Sequence, residues 1–261
     1  MATQPPRRSG MSADDILVTE GLSKRFGDFR AVSEVFLRIK RGTIHALIGP
    51  NGAGKTTCFN MLSKFIAPTE GRIEFNGRDI TAMRPADVAR LGLVRSFQIS
   101  AVFPNLTALE NVRVALQRKR GDSFDFWRSK SALDPLNGRA FELLDSVGLT
   151  AFAHSRAGEV SYGRKRALEL ATTLAVEPEM MLLDEPMAGM GHEDIDRIAA
   201  LIRRVSANRT ILMVEHNLQV VAHLSNRITV LTRGRVLAEG DYKTVSENEE
   251  VREAYLGSGH A

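Results

Sequence analysis

Gly49-Pro50-Asn51-Gly52-Ala53-Gly54-Lys55-Thr56-Thr57 decides the fold. It matches G-x-x-x-x-G-K-[ST] and follows a short apolar run, Ala46-Leu47-Ile48, that reads as a strand. The residues after it, Thr57 to Leu62, carry no helix breaker and read as a helix. A glycine-rich turn between strand and helix lets backbone N–H groups close around phosphate oxygens, with Lys55 adding a point charge and Thr56 a hydroxyl for Mg²⁺. The positive end of the helix faces the same anion. A nucleoside triphosphate is the expected ligand.

A second part of such a site lies near residue 180. Met180-Met181-Leu182-Leu183 is uncharged and ends in Asp184-Glu185-Pro186, the pattern of a buried parallel strand whose C-terminal tip delivers two carboxylates beside the phosphate loop. Asp184 is the candidate metal residue, acting through the Mg²⁺ water shell. Glu185, one residue on and pointing differently, is the candidate base for the water that attacks the γ-phosphate.

Between these halves stands Glu159-Val160-Ser161-Tyr162-Gly163-Arg164-Lys165, followed by a helical stretch to Ala175. With it the chain resembles the nucleotide-binding subunits of ABC transporters, whose Leu-Ser-Gly-Gly-Gln-like signature opens a helix upstream of the Asp-Glu strand. Ser161 and Gly163 are kept, whereas Tyr162 replaces a glycine and Arg164 the glutamine. A hydroxyl and bare N–H groups at a helix N-terminus still form an anion site. Arg164 either adds positive charge there or is a solvated first-turn residue.

The resemblance implies an α/β protein with a P-loop NTPase core on a parallel sheet, an antiparallel β side sheet and an inserted helical subdomain. It implies an ATPase using ATP and Mg²⁺. Position by position, it makes Phe26 the aromatic that stacks on adenine, Gln98 a ligand of Mg²⁺ and of the attacking water, and His216 the residue that contacts the γ-phosphate. Gly191 stands where the family usually presents an aspartate across the dimer, leaving His192, Glu193 or Asp194 as substitutes. The implied nucleotide contacts are Phe26, Gly49 to Thr57, Ser161 and Gly163, the last two acting on the partner's nucleotide.

Within the family, Arg95-Ser96-Phe97-Gln98, Tyr162, Val214-Glu215-His216-Asn217 and the tail Ala254-Tyr255-Leu256-Gly257 look like the larger ATPase subunit of branched-chain amino acid importers. The urea importer ATPase and the lipopolysaccharide exporter ATPase are rivals, and a soluble ABC ATPase without a transport role is a further alternative. The importer resemblance implies a second ABC ATPase subunit, identical or not, two transmembrane permease subunits, an indirectly coupled periplasmic binding protein, and a place on the cytoplasmic face of the inner membrane.

Composition agrees. The 261 residues suit one α/β domain with an inserted lobe, and 43% apolar with 25% charged residues is ordinary for a globular protein. No apolar run approaches the roughly eighteen residues that span a bilayer, so a membrane pore is expected in another polypeptide. The single cysteine, Cys58, cannot form an internal disulfide and fits a reducing compartment. A net charge of +4 without a basic, aromatic-interleaved block argues against nucleic acid as partner.

Residues 1–15 read as a disordered leader, 16–257 as the ATPase domain, and 258–261 as a tail. Alternation in Ile16, Val18, Val35, Leu37 and Ile39 reads as antiparallel strands that, joined by a second pair around Gly71 to Phe75, give the side sheet. The helical lobe is expected over about 99–165, with Thr107 and Glu110 forming a capping box. Lys119 to Gly138 reads as an exposed loop or as a contact surface for the membrane partner. Tyr242 to Leu256 reads as one short helix.

Overall fold

The computed structural model describes residues 12–96, 102–120 and 134–256. Gln98, most of the Lys119–Gly138 stretch, Gly257 and both chain ends lie outside the described residues.

β1 (Asp15–Phe26), β2 (Phe29–Lys40), β4 (Glu70–Phe75) and β5 (Arg78–Asp79) form an antiparallel sheet of order β2-β1-β4-β5. In β2 the alternation works as read: Val35, Leu37 and Ile39 are buried while Phe36 faces out. β1 starts one residue earlier than expected, because Asp15 is tied to Arg38 at 3.1 Å.

The second sheet has the order β10-β9-β3-β8-β7-β6, built from β3 (Ile44–Ile48), β6 (Leu93–Ser96), β7 (Met180–Asp184), β8 (Thr210–Val214), β9 (Arg227–Thr232) and β10 (Arg235–Gly240). It is parallel except for the antiparallel β9–β10 pair. Its central strands are buried on both faces, which is why Met180–Leu183 is continuously apolar. Met181 and Leu183 join the core on the helical side, while Met180 and Leu182 join the core shared with the side sheet. Phe59 and Met61 of α1 (Lys55–Leu62) lie in that second core. The phosphate-loop helix is therefore packed into the core the two sheets share.

Past α2 (Pro85–Arg90), which precedes β6, the lobe consists of α3 (Ala108–Arg120), α4 (Asn137–Ser146) and α5 (Tyr162–Ala175), which pack on one another. The capping box forms: Glu110 N–H donates to the Thr107 hydroxyl at 3.1 Å, and Thr107 N–H to the Glu110 carboxylate at 2.8 Å. At the C-terminal end two helices replace the single one expected. Asp241 caps α8 (Tyr242–Ser246), and Asn248 accepts from Val251 N–H at 3.0 Å to restart the chain as α9 (Glu249–Leu256). A side-chain cap at Asn248 outcompetes continuation of the first helix. Among the described residues no helix is long and apolar enough to cross a membrane.

Candidate functional site

The phosphate loop runs from the tip of β3 to the start of α1. Gly49 (φ +148°) lies so close to the Leu231 carbonyl that a Cβ would overlap it, and at Gly54 (φ +96°) a Cβ would sit 2.6 Å from the Ala31 oxygen. Bare backbone is required at both ends of the loop. Lys55 Nζ folds back onto the carbonyls of Gly49 (2.7 Å) and Pro50 (2.9 Å). Its pKa is lowered by burial, and the nearby Glu185 carboxylate opposes that shift. Lysine and glutamate, 130 positions apart in the chain, thus share one electrostatic site.

Glu185 leaves the tip of β7 in a left-handed conformation (φ +45°), its N–H held by the Val214 carbonyl at 2.9 Å. Asp184, just inside the strand, is buried, and its Oδ2 pairs with Arg95 Nη2 at 2.5 Å. Arg95 also donates to Asn60 and Ser63 of the α1 region and lies against the rings of Phe59 and Phe65. Among the described residues no group of three or more His, Cys, Asp and Glu is placed to hold a metal. A Mg²⁺ ion at Asp184 would complete its shell with phosphate oxygens, water and the exposed Thr56 hydroxyl, the usual pattern for this cation.

Glu215 is a site residue for which sequence reasoning gave no role. It is 1% exposed. Its Oε1 accepts from Met187 N–H at 3.0 Å, and its Oε2 from His216 N–H at 3.1 Å and Asn217 N–H at 3.4 Å. Burial raises the carboxyl above its usual range, while these N–H groups and His216 pull it back. One buried carboxylate therefore ties the loop after Glu185 to the loop bearing His216. The visible signal is a charged residue closing an apolar strand immediately before the histidine. His216 itself is exposed at the β8 tip, and Asn217 caps α7 (Leu218–Leu224) through bonds to Gln219 and Val220 N–H.

Phe26 ends β1 and is half exposed, with Lys24 Nζ 5.2 Å from its ring centre. Its strand pairs with β2 through Lys24 and Val32, and Val32 lies against Gly54, so this end of the side sheet borders the phosphate loop. The turn after β9 fastens the two together: Gly234 N–H donates to the Ala53 carbonyl (3.0 Å), and Ser33 N–H to the Gly234 carbonyl (2.8 Å).

Ser161 caps α5 with extended backbone, and its exposed hydroxyl makes no capping bond. The nearest atoms to a Cβ built on Gly163 belong to the Asp194 carboxylate, at 2.7 Å. Asp194, on α6 (His192–Ser206), also pairs with Arg197 at 3.2 Å. Of the three candidate substitutes near Gly191, Asp194 is thus committed within its own chain, while His192 and Glu193 stay exposed. Arg164 is not simply a solvated first-turn residue: it is partly buried, with its guanidinium 3.9 Å from the Phe152 ring centre. The Tyr162 hydroxyl accepts from Arg166 (2.9 Å), which is itself paired with Glu169 in a buried bridge.

The sequence profile of the ABC transporter family matches residues 32–188. The chain belongs to this family. A profile described as branched-chain amino acid ATP-binding cassette transporter matches residues 235–261. The high-affinity branched-chain amino acid transport ATP-binding protein BraF of Pseudomonas aeruginosa is 38% identical over 249 residues, covering 93% of this chain and 98% of the relative. An ATP-binding cassette of an ABC transporter in its ADP conformation superposes with a TM-score of 0.82 at 31% identity, covering 93% of this chain and 99% of that one. A dimeric ATP-binding cassette in a post-hydrolysis state with ADP and Pi gives 0.72 at 25% identity, covering 87% and 99%. The ABC ATPase fold, with its two sheets and helical lobe, is therefore the architecture of this chain.

Proposed function

We propose that this chain hydrolyses ATP as one of two cassettes that drive a branched-chain amino acid importer from the cytoplasmic face of the inner membrane. The match of residues 235–261 to the branched-chain amino acid profile is the observation that carries the solute class, and similarity to BraF along nearly the whole chain supports it. The partners are a second cassette, identical or not, transmembrane permease subunits, and a periplasmic binding protein reached only through them.

The bare backbone of Gly49 to Gly54 and the first turn of α1 hold the phosphates. Lys55 exchanges the Gly49 and Pro50 carbonyls for phosphate oxygens, a short swing for a flexible side chain. Phe26 receives the adenine ring. Thr56, Asp184 and Gln98 would hold Mg²⁺, which neutralises charge on the phosphates when bound. Glu185 takes a proton from water as its oxygen bonds to the γ-phosphorus. The bond from that phosphorus to the bridging oxygen breaks, leaving ADP and phosphate. His216 contacts the γ-phosphate from the adjacent strand tip.

Ser161 and Gly163 serve the nucleotide of the other cassette. The free Ser161 hydroxyl at the start of α5 supports that role, and a two-fold pairing gives each chain the same task on its partner. Radiolabelled leucine uptake tests the solute class. Cells lacking this chain should recover uptake with wild type but not with Glu185→Gln; recovery of urea uptake instead, with leucine unaffected, contradicts it.

A further inference from the structure

Arg95 stands on β6 beside Leu182 of the parallel strand β7. Its guanidinium donates through Nη2 to Asp184 Oδ2 (2.5 Å) and through Nη1 to Asn60 Oδ1 (2.6 Å) and Ser63 Oγ (3.1 Å). The ring centres of Phe59 and Phe65 lie 5.2 and 5.1 Å from it. A planar fork gripped at both terminal nitrogens, with two rings against it, has little freedom left. The bond to Asp184 engages one carboxylate oxygen, and Oδ1 remains for the water shell of a metal.

The spacing on α1 shows what the fork is tied to. Thr56, Asn60 and Ser63 stand at i, i+4 and i+7, one face of the helix, with Ser63 as its C-cap. Thr56 opens that face at the phosphate loop with an exposed hydroxyl, and Asn60 and Ser63 close it on Arg95. One helix face therefore carries the hydroxyl assigned to Mg²⁺ at one end and, by way of Arg95, holds the carboxylate assigned to Mg²⁺ from the other.

We propose that Arg95 is a positioning residue for the Mg²⁺ site: a strut from α1 to β7 that sets the Asp184 carboxylate relative to Thr56. The proposal rests on the reading of Thr56 and Asp184 as residues that hold Mg²⁺, and Arg95 acts only through Asp184. Groups that orient a metal-binding carboxylate set metal affinity nearly as strongly as the carboxylate itself. Phosphate binding by the Gly49–Gly54 backbone and Lys55 does not pass through the strut. Loss of the strut should consequently weaken the contribution of the metal and spare that of the nucleotide.

Calorimetry of ADP binding to the full-length chain, in EDTA and in excess Mg²⁺, separates the two as a ratio of Kd values. Arg95→Lys keeps the charge but lacks the fork that spans Asp184, Asn60 and Ser63. Asn60→Ala keeps the pair with Asp184 and removes one brace on α1. In Arg95→Lys the enhancement of ADP binding by Mg²⁺ should fall about 10–100-fold, to no enhancement at the limit, with the Kd in EDTA that of wild type. In Asn60→Ala it should fall about two- to tenfold, the range of one hydrogen bond, and this variant decides the matter if Arg95→Lys does not fold. A wild-type enhancement in either folded variant overturns the proposal. An equal loss of ADP affinity with and without Mg²⁺, the mark of a merely structural role, overturns it too. A wild-type chain that binds ADP equally in EDTA and Mg²⁺ overturns the metal assignment and the strut with it, whereas one that binds ADP in neither overturns the reading of the phosphate loop and all that rests on it.

Discussion

Replacing Arg95 with methionine isolates the buried charge at the centre of the site. Arg95 and Asp184 side chains are 11% and 4% exposed, so Arg95→Met leaves a carboxylate in the interior without its counterion. Methionine retains part of the contact with Phe59 and Phe65 but none of the bonds to Asp184, Asn60 and Ser63. Removing one partner of a buried pair costs about 3–5 kcal/mol, a large share of the roughly 5–15 kcal/mol that holds a domain folded. Asp184→Asn placed on top of Arg95→Met removes the orphaned charge. The double variant should recover about 2 kcal/mol or more relative to the sum of the single changes, a coupling well above additivity error. Urea unfolding followed by far-ultraviolet circular dichroism measures all four forms. A loss below about 1 kcal/mol for Arg95→Met, or additive behaviour in the double variant, would refute the buried-pair argument.

Three further outcomes rest on two buried titratable groups. His45 in β3, bonded to Thr229 at 2.8 Å, is pushed down to about 3 by burial and then by Arg227. The unfolded chain therefore takes up a proton that the folded chain refuses. Stability is fully present above the ordinary histidine pKa and falls by about 1.4 kcal/mol per unit as pH drops toward 3. Relative to His45→Gln, the wild type should lose roughly 2–3 kcal/mol between pH 7 and 4.5, and equal slopes in urea titrations would contradict this. Glu215 has the opposite sign, because a raised carboxyl contributes stability below its unfolded pKa and loses it as pH rises through the folded value. The stability of wild type minus Glu215→Gln should accordingly decrease from pH 4 to 7. Turnover of Glu215→Gln should fall about tenfold or more as Met187 and His216 lose their shared anchor, and a normal kcat would remove Glu215 from the site.

The phosphate loop and the Asp184-Glu185 tip are legible in the sequence because their chemistry is local: the required residues are adjacent and the flanking strand and helix patterns confirm their setting. Glu215 is not, since its meaning depends on β7 and β8 lying side by side, a long-range pairing that brings Met187 N–H to it. Arg95 is visible only as part of a family stretch and Arg164 only as the residue in place of the signature glutamine; the rings of Phe59, Phe65 and Phe152 that they lie against come from other elements and are not legible at those positions. The break at Asn248 was readable in principle from an asparagine followed by two glutamates, an N-cap signature, but the periodicity through Tyr242–Leu256 masks it. Where Asp194 turns could not be read at all, because it answers to the space above Gly163 on another helix.

Glu185→Gln tests the central assignment most directly. The substitution keeps size and one acceptor while removing the charge that draws a proton from water, a contribution on the order of 10²–10⁴-fold. Phosphate release and size-exclusion chromatography with Mg·ATP should be measured together, alone and with the second cassette. We expect hydrolysis to stop while ATP stays bound, and the variant to elute as a two-chain species more than wild type does. Hydrolysis by Glu185→Gln at a rate near wild type, under conditions where wild type is active, would contradict it.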